Sequence, residues 1–330
     1  MNQIVVENLT KTFHVAERQR GFRGAVKGLF HRRYRDVEAL AGISFSIDAG
    51  EMIGYIGPNG AGKSTTIKIL SGILVPSAGR CEVNGVVPWI ERTKHVAKIG
   101  VVFGQRTQLW WDLPVIESFQ LLRDIYRIPN AEYRKTSQKL IDTMNIGGML
   151  DTPVRQLSLG QRMRCDLVAS LLHTPDILFL DEPTIGLDAT SKLAVREFIK
   201  DLNRESNVTV ILTTHDMDDI EAVCERIVVI GNGEILSDGS LPELRSRVNG
   251  ERRLKIEFKE QIVFEDPDAR VVSQKGSEYH LAFNPDHVAP TSLIARITER
   301  YEVIDLLVEN PPVEEMISLL YQNSRIEEAK

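Results

Sequence analysis

Residues Gly57-Pro58-Asn59-Gly60-Ala61-Gly62-Lys63-Ser64-Thr65 have the types and the order needed to hold phosphate. They fit G-x-x-x-x-G-K-[ST], the P-loop pattern. A polyphosphate carries several negative charges and needs many donors close by. Glycines let backbone N–H groups turn toward its oxygens with no Cβ in the way. A helix that starts in the loop adds its free N–H groups and its dipole. Lys63 then reaches the β- and γ-phosphates, and the Ser64 hydroxyl ligates Mg²⁺. This chemistry requires a strand entering the loop and a helix leaving it. Residues 51–56 (EMIGYI) predict the buried strand. Residues 64–74 (STTIKILSGIL) predict the helix, with Ile67, Leu70 and Leu74 on one face.

Four apolar residues followed by two acids, Ile177 to Glu182, lie further along, with Asp181 118 residues after Lys63. An apolar strand there aims Asp181 at the Mg²⁺ end of a nucleotide. Glu182, one residue on, can polarise water as general base, a role typically worth about 10²- to 10⁴-fold in rate. Leu157-Ser158-Leu159-Gly160-Gln161 precedes a helix with Met163, Leu167, Val168 and Leu171 at core spacing. Ser158 and Gly160 offer a hydroxyl and an unhindered backbone at that helix start. Taken alone, the pentapeptide is either a second phosphate-binding device or an N-cap. Gln105 follows a strand expected over 99–103, and its amide can touch Mg²⁺ or the attacking water and then let go. His215 follows a strand expected over 208–213, where a ring nitrogen can reach the γ-phosphate. A lone Gln or His at a strand end is usually structural; the order along the chain is what singles these two out.

The elements that position these groups read as α/β. Short apolar runs over 176–180, 208–213 and 226–230 look like buried parallel strands. Helical periods over 160–173, 190–205 and 217–224 alternate with them, giving βαβ units with ligands at the strand C-terminal ends. Residues 3–9 alternate like an antiparallel strand, and 37–47 return to strand pattern. Residues 110–145 are mostly helical in period, interrupted at Pro114 and Pro129. The expected domains are 1–248, carrying the nucleotide chemistry, and 249–330, a small α+β unit. The second unit reads as strands over 254–258, 270–273 and 279–283, a helix over 290–301, a strand over 302–308 and a helix over 313–321. It has no cluster of catalytic residue types, so an accessory or dimerising role is expected.

Composition bounds the class. The 330 residues are 42% hydrophobic and 26% charged, as in a folded, soluble protein. The net charge of −6 gives no argument for nucleic-acid binding. Cys81, Cys165 and Cys224 lack C-x-x-C spacing, which suits a reducing cytoplasm and argues against zinc or a disulfide framework. The N-terminus lacks a signal peptide's layout, and no apolar run approaches the roughly 18 residues of a membrane span. One segment stands out. Residues 16–36 hold Arg18, Arg20, Arg23, Lys27, Arg32, Arg33 and Arg35, with Phe22, Val26, Leu29, Phe30 and Tyr34 near helical spacing among them. This is the composition of a basic amphipathic helix on an anionic membrane surface. Gly21, Gly24 and Gly28 weaken any helix there, so a solvated insertion is the alternative.

In this order the chain resembles the ATP-binding subunits of ABC transporters. The motifs are aromatic Phe13, Walker A Gly57 to Thr65, Q-loop Gln105, signature Leu157 to Gln161, Walker B Ile177 to Glu182, D-loop Gly186-Leu187-Asp188 and switch His215, spread over about residues 3–240. The segment after Gly250, with Asn310-Pro311-Pro312-Val313-Glu314-Glu315, is similar to the C-terminal extension of drug-exporter subunits of the ABC-2 class. The resemblance implies a P-loop NTPase core of ABC type with antiparallel β and helical subdomains, ATP and Mg²⁺ as cofactors, and Ser64, Gln105 and Asp181 at the metal. It implies that Phe13 stacks on adenine, with Tyr34 as a competitor, and that Gln105 senses the γ-phosphate. His215 is to hold that phosphate, and Ser158, Gly160 and Gln161 are to bind ATP held by the opposite subunit, with Asp188 coupling the two sites. A signature acting in trans implies a C₂ homodimer around two ATPs. The remaining partners implied are separate membrane permease subunits, with residues 16–36 at the inner leaflet and the subunit peripheral on the cytoplasmic face.

Three departures from the family pattern stand in this sequence. Leu159 replaces the second glycine of LSGGQ, Ile185-Gly186 stand where Ser-Ala is common, and the basic insert separates Phe13 from the P-loop. Similar basic inserts occur in some polysaccharide exporters. A soluble ABC ATPase acting on ribosomes or DNA is expected to carry two cores, a coiled coil or zinc modules, none of which is seen. A GTPase is expected to carry Asn-Lys-x-Asp, which is absent.

Overall fold

The structure is a computed structural model that describes residues 2–16, 34–104, 106–214, 216–248, 251–309, 316–318 and 320–321. Residues 17–33, Gln105 and His215 lie outside them, so the expectations placed on the basic insert, on the Q-loop glutamine and on the switch histidine are not described here. Two compact units are present, Met1–Gly239 and Ser240–Lys330. This division falls just before a helix, 241–248, where the sequence reading placed its boundary just after it.

The first unit opens with strands β1 (Asn2–Ala16), β2 (Tyr34–Asp48) and β3 (Met52–Ile56), then helix α1 (Lys63–Leu70) and strand β4 (Ala78–Val83). A short helix α2 (Arg92–Val96) leads to β5 (Ile99–Phe103). Helices α3 (Val115–Tyr126), α4 (Asn130–Thr143) and α5 (Leu159–Leu171) follow. Then come β6 (Ile177–Asp181), α6 (Ala189–Ser206), β7 (Thr209–Thr213), α7 (Met217–Val223), β8 (Arg226–Gly231) and β9 (Glu234–Ser240). The second unit holds α8 (Leu241–Val248), β10 (Arg252–Phe258), β11 (Ala269–Lys275), β12 (Glu278–Phe283), α9 (Pro290–Arg300) and β13 (Val303–Glu309). Pro114 and Pro129 stand at the N-caps of α3 and α4, where a missing N–H costs nothing and the preset φ helps the helix begin.

Two sheets carry the first unit. One is antiparallel, in the order β2-β1-β4. The other has six strands in the order β5-β6-β7-β3-β8-β9, with β5, β6, β7, β3 and β8 parallel. The apolar runs seen in the sequence are these strands. β6 and β7, inside that sheet, are buried along almost their whole length. β1 runs past residue 9 to include Phe13, longer than its alternating pattern suggested. The second unit is a four-stranded antiparallel sheet, β11-β12-β10-β13, whose core of Leu254, Ile256, Phe258, Tyr279, Leu281 and Phe283 packs with Leu293 and Ile297 of α9.

Phe179, in the middle of β6, is 0% exposed and belongs to the core that joins the two sheets. Phe179→Ala removes a whole ring from the strand that ends in Asp181 and leads into Glu182. It is expected to cost about 3–5 kcal/mol, read as a lower denaturation midpoint; an unchanged midpoint contradicts this packing.

Candidate nucleotide site

The P-loop leaves the C-terminal end of β3 and closes on α1. Gly62 caps α1 with φ +111°, and a Cβ there would come within 2.7 Å of the Ala39 carbonyl oxygen and of a Leu40 methyl. The positive φ and the close strand both require glycine. Lys63 is the first residue of α1 and only 6% exposed. Its ammonium donates to the carbonyls of Gly57 (2.6 Å) and Pro58 (3.2 Å). Burial lowers its pKa, and the nearby charges of Glu182 and Asp181 oppose that shift. Thr66, one turn on, is buried and hydrogen-bonded to Tyr55 on β3 and to the Gly62 carbonyl, which fixes the start of the helix under the loop.

Three strand ends meet beside the loop. In the parallel register Phe103 pairs with Asp181 and Asp181 with Thr213. Thr213 Oγ1 donates to Asp181 Oδ1 (2.6 Å), and Ser64 Oγ donates to the same oxygen (3.3 Å). A hydroxyl from the P-loop helix and a carboxylate from β6 therefore converge. Such an oxygen set suits Mg²⁺, which takes one or two protein oxygens and fills its octahedron with phosphate and water. Glu182 follows with φ +56°, a left-handed conformation uncommon outside glycine. Its N–H is held by Thr213, through the carbonyl (2.9 Å) and the hydroxyl (3.2 Å). Gly104 makes room for this turn: a Cβ there would lie 1.9 Å from the Glu182 carbonyl oxygen.

Gly57, Pro58, Asn59, Ser64, Lys68, Phe103, Gly104, Arg106, Asp181 and Glu182 are among the residues lining one cavity of about 880 Å³. This is large enough for a nucleotide. Ser158, Gly160, Gln161 and Asp188 are not in that lining. Ser158 caps α5 in a reciprocal box: its hydroxyl accepts from Gln161 N–H (3.2 Å), and its own N–H donates to Gln161 Oε1 (2.9 Å). The N-cap alternative is thus realised, and it leaves Ser158 exposed at a helix N-terminus. Asp188 caps α6 by accepting from Ser191 N–H (2.7 Å), which holds its carboxyl below the usual aspartate range. A Cβ on Gly160 would sit 2.5 Å from Ser191 Oγ, so glycine lets the two helix starts abut. Leu159 and Gly186 are paired as well. A Cβ on Gly186, whose φ is +71°, would lie 2.9 Å from a Leu159 methyl.

Phe13 and Tyr34 stand on one ribbon. Phe13 faces Val37 and Tyr34 faces Ala16 in an unbroken register, which puts the two rings on opposite faces. Lys11 lies over the Phe13 ring at 5.2 Å, and Tyr34 is 58% exposed.

A family model described as "ABC transporter" matches residues 40–185. The linearmycin resistance ATP-binding protein LnrL of Bacillus subtilis (strain 168) is 34% identical over 225 residues, spanning 68% of this chain and 72% of that protein. This chain belongs to the ATP-binding subunits of ABC transporters. A methionine import ATP-binding protein, MetN 2 of Enterococcus faecalis (strain ATCC 700802 / V583), is 34% identical over 66% of this chain and 64% of its own length. The solved dimer of the ATP-binding cassette MJ0796, in a post-hydrolysis state bound to ADP and Pi, matches with a TM-score of 0.60 at 26% identity. That match covers 72% of this chain and 98% of that one. As a member of this family the protein is an ATPase with a P-loop core, working as the ATP-binding subunit of a transporter. Among the described residues no helix is long and apolar enough to cross a membrane.

Sequence reasoning missed three supporting groups. Thr213 and Gly104 carry no motif, because their value lies in which strand end they face. Asp166 sits inside α5, 3% exposed, and accepts from Thr107 Oγ1 (2.8 Å) and Gln108 N–H (3.0 Å). An acid at a core position of the helix period was the available signal. Burial pushes the Asp166 carboxyl up to about 6, against the opposing hydrogen bonds from Thr107 and Gln108.

Two outcomes are expected. Gly104→Ala forces β5 or the Glu182 turn to move and should lower kcat at least about tenfold with a folded chain; wild-type turnover would contradict the contact. For Asp166, the folded state keeps a proton that the unfolded chain has lost. Stability is therefore fully present below the ordinary aspartate range and is lost as pH rises through about 6. Asp166→Asn removes that loss, so thermal melts should show the variant gaining on wild type at pH 8 relative to pH 5. The gain is at most about 3 kcal/mol, and a pH-independent difference contradicts it.

Proposed function

We propose that this protein powers a membrane exporter by closing as a homodimer around two ATP molecules, each held by one P-loop and capped by the partner's signature helix. The observation that carries this reading is the split of the motif residues. Gly57, Pro58, Asn59 and Ser64 of the P-loop line one cavity with Asp181 and Glu182, while Ser158, exposed, and Gly160, buried, sit outside that lining at the start of α5. A helix N-terminus that serves no site in its own chain is suited to serve one across a two-fold axis.

In this reading Gly57 to Thr65 wrap the phosphates, and Lys63 turns from the loop carbonyls toward the β- and γ-phosphates. Ser64 and Asp181, with Gln105, hold Mg²⁺, which when bound draws charge from the phosphate oxygens. Glu182 takes the proton from the attacking water, and the rigid Thr213 contact keeps its backbone in place. His215 holds the γ-phosphate and Asp188 links the two sites. Phe13 stacks on adenine. It pairs with Val37, two residues from the Ala39 that touches the P-loop, whereas Tyr34 lies further along the ribbon on its other face. Loss of the γ-phosphate opens the dimer, a two-state motion able to rock attached membrane domains.

The subunit sits on the cytoplasmic face of the membrane beside permeases of the ABC-2 class, with the basic stretch 16–36 against the anionic inner leaflet. Residues 249–330 form an accessory unit, and nucleic acid is not a partner. Export is supported by the resistance-type relative and by the basic insert. The methionine-import relative makes uptake the competing direction. Purification from native membranes with identification of bound polytopic proteins decides between them, and recovery of ribosomal proteins instead would overturn the transporter assignment.

Glu182→Gln is expected to trap an ATP-bound dimer and to cut turnover by about 10²-fold or more; full ATPase activity would remove Glu182 as the base. Lys63→Ala should weaken ATP binding itself, and unchanged nucleotide affinity in equilibrium titration would contradict the P-loop assignment.

A further inference from the structure

A second cavity, of about 580 Å³, opens where α3, α4, the end of α5 and α6 meet, and it shares no lining residue with the nucleotide cavity. Its size suits a small organic molecule. Buried Leu140, Leu171, Leu172 and Phe198 supply an apolar lining. One wall is aromatic. The Tyr126 ring stacks on His173 with centroids 3.9 Å apart and planes 6° from parallel. His173 Nε2 lies 2.9 Å from the Ile99 carbonyl oxygen. A carbonyl can only accept, so Nε2 carries the proton, and the bond ties the stacked pair to β5. The rim is charged. Exposed Arg127, Lys135 and Glu132 stand on it and form no ion pair among the described residues. Lys139 of α4 pairs with Glu205 of α6 (2.9 Å), and Asp201 pairs with Arg204 (2.6 Å). The uncompensated rim charges are therefore two cations against one carboxylate.

We propose that this cavity is a binding site for a small planar aromatic anion, a carboxylate or sulfonate, with its rings between α4 and α6 and its acid group at Arg127 and Lys135. A flat ring system buries much apolar area at little cost in conformational freedom, and the Tyr126–His173 wall and Phe198 give it rings to pack against. The acid group stays at the exposed rim, where it keeps water, so its charge carries no burial cost. A cation there would meet two like charges. A polyphosphate is a poor occupant, because several charges need many close donors and this lining is apolar. The site stands apart from the roles given above to the nucleotide motifs.

The test titrates the full chain with anilinonaphthalene sulfonate, an aromatic anion that fluoresces when its rings leave water. Phenylnaphthylamine, the same ring system without the sulfonate, is the neutral control. The sulfonate should bind at one site per chain, equally with ATP present or absent. Thr136 lines the cavity from α4, half-buried, and Thr136→Trp places a ring inside it. This variant should weaken both probes about tenfold or more. Arg127→Glu with Lys135→Glu reverses two exposed charges. That double variant should weaken the sulfonate about tenfold and change the neutral probe less than about twofold. ATP affinity should match wild type in each variant, since none of these residues lines the nucleotide cavity. Thr143→Trp, at an exposed lining position, repeats the block if Thr136→Trp does not fold. Lack of saturable binding, displacement of the probe by ATP, or undiminished binding in a folded tryptophan variant overturns the site. Equal effects on the two probes when the charges are reversed overturn the choice of an anion.

Discussion

The alignment of three parallel strand ends is the constraint on which the rest of this molecule depends. Phe103, Asp181 and Thr213 lie at one level across β5, β6 and β7. Their alignment puts a carboxylate, a hydroxyl and two backbone turns beside the P-loop. The hydrogen bonds from Thr213 and Ser64 to Asp181 tie the sheet to the first helix at the point where a metal–phosphate group would sit. A shift of β6 by one residue would turn Asp181 to the other face and remove the site. The burial of β7 and of all of β6 but Asp181 makes such a slip costly, so the apolar runs of the sheet are also what fix the site.

Close backbone approach recurs at each functional turn. Glu182 adopts a left-handed conformation directly over Gly104, and Gly62 opens α1 against β2. These positions hold side-chain and backbone groups in arrangements that a general protein surface does not support. The same logic joins the starts of α5 and α6. Two of the three departures from the family pattern meet there, since Leu159 fills the space that Gly186 leaves. A bulky residue in the signature and a missing side chain in the D-loop thus form one compensated contact.

Electrostatics are arranged around burial. Lys63 is nearly enclosed, with its charge opposed by desolvation and supported by Glu182 and Asp181 at the end of β6. Asp166 carries the opposite problem, a carboxylate inside a helical core held by neutral donors. The second unit solves its own packing with an aromatic cluster of Phe258, Tyr279, Phe264 and Tyr301 and with Arg296 clamped on Asp266 and Asp268. These are packing contacts within the second unit.

The nature of the protein was legible in its residues because phosphate binding is local. A P-loop needs its glycines, lysine and serine in one unbroken run, and the acids of β6 follow their strand directly. Periodicity likewise marked the parallel strands, since burial on both faces leaves an apolar run, and the prolines marked where α3 and α4 begin. It missed β9, α2 and α8, which are short or half-buried and carry weak patterns. It stopped β1 before Phe13, whose strand is fixed by pairing with β2. Tertiary structure alone decided that Thr213 holds Asp181, that Gly104 accommodates Glu182, that Leu159 meets Gly186 and that Asp166 grips the stretch after β5. Each of these joins residues distant in sequence whose types are ordinary, and only the register of a folded sheet and the packing of its helices bring them within bonding distance.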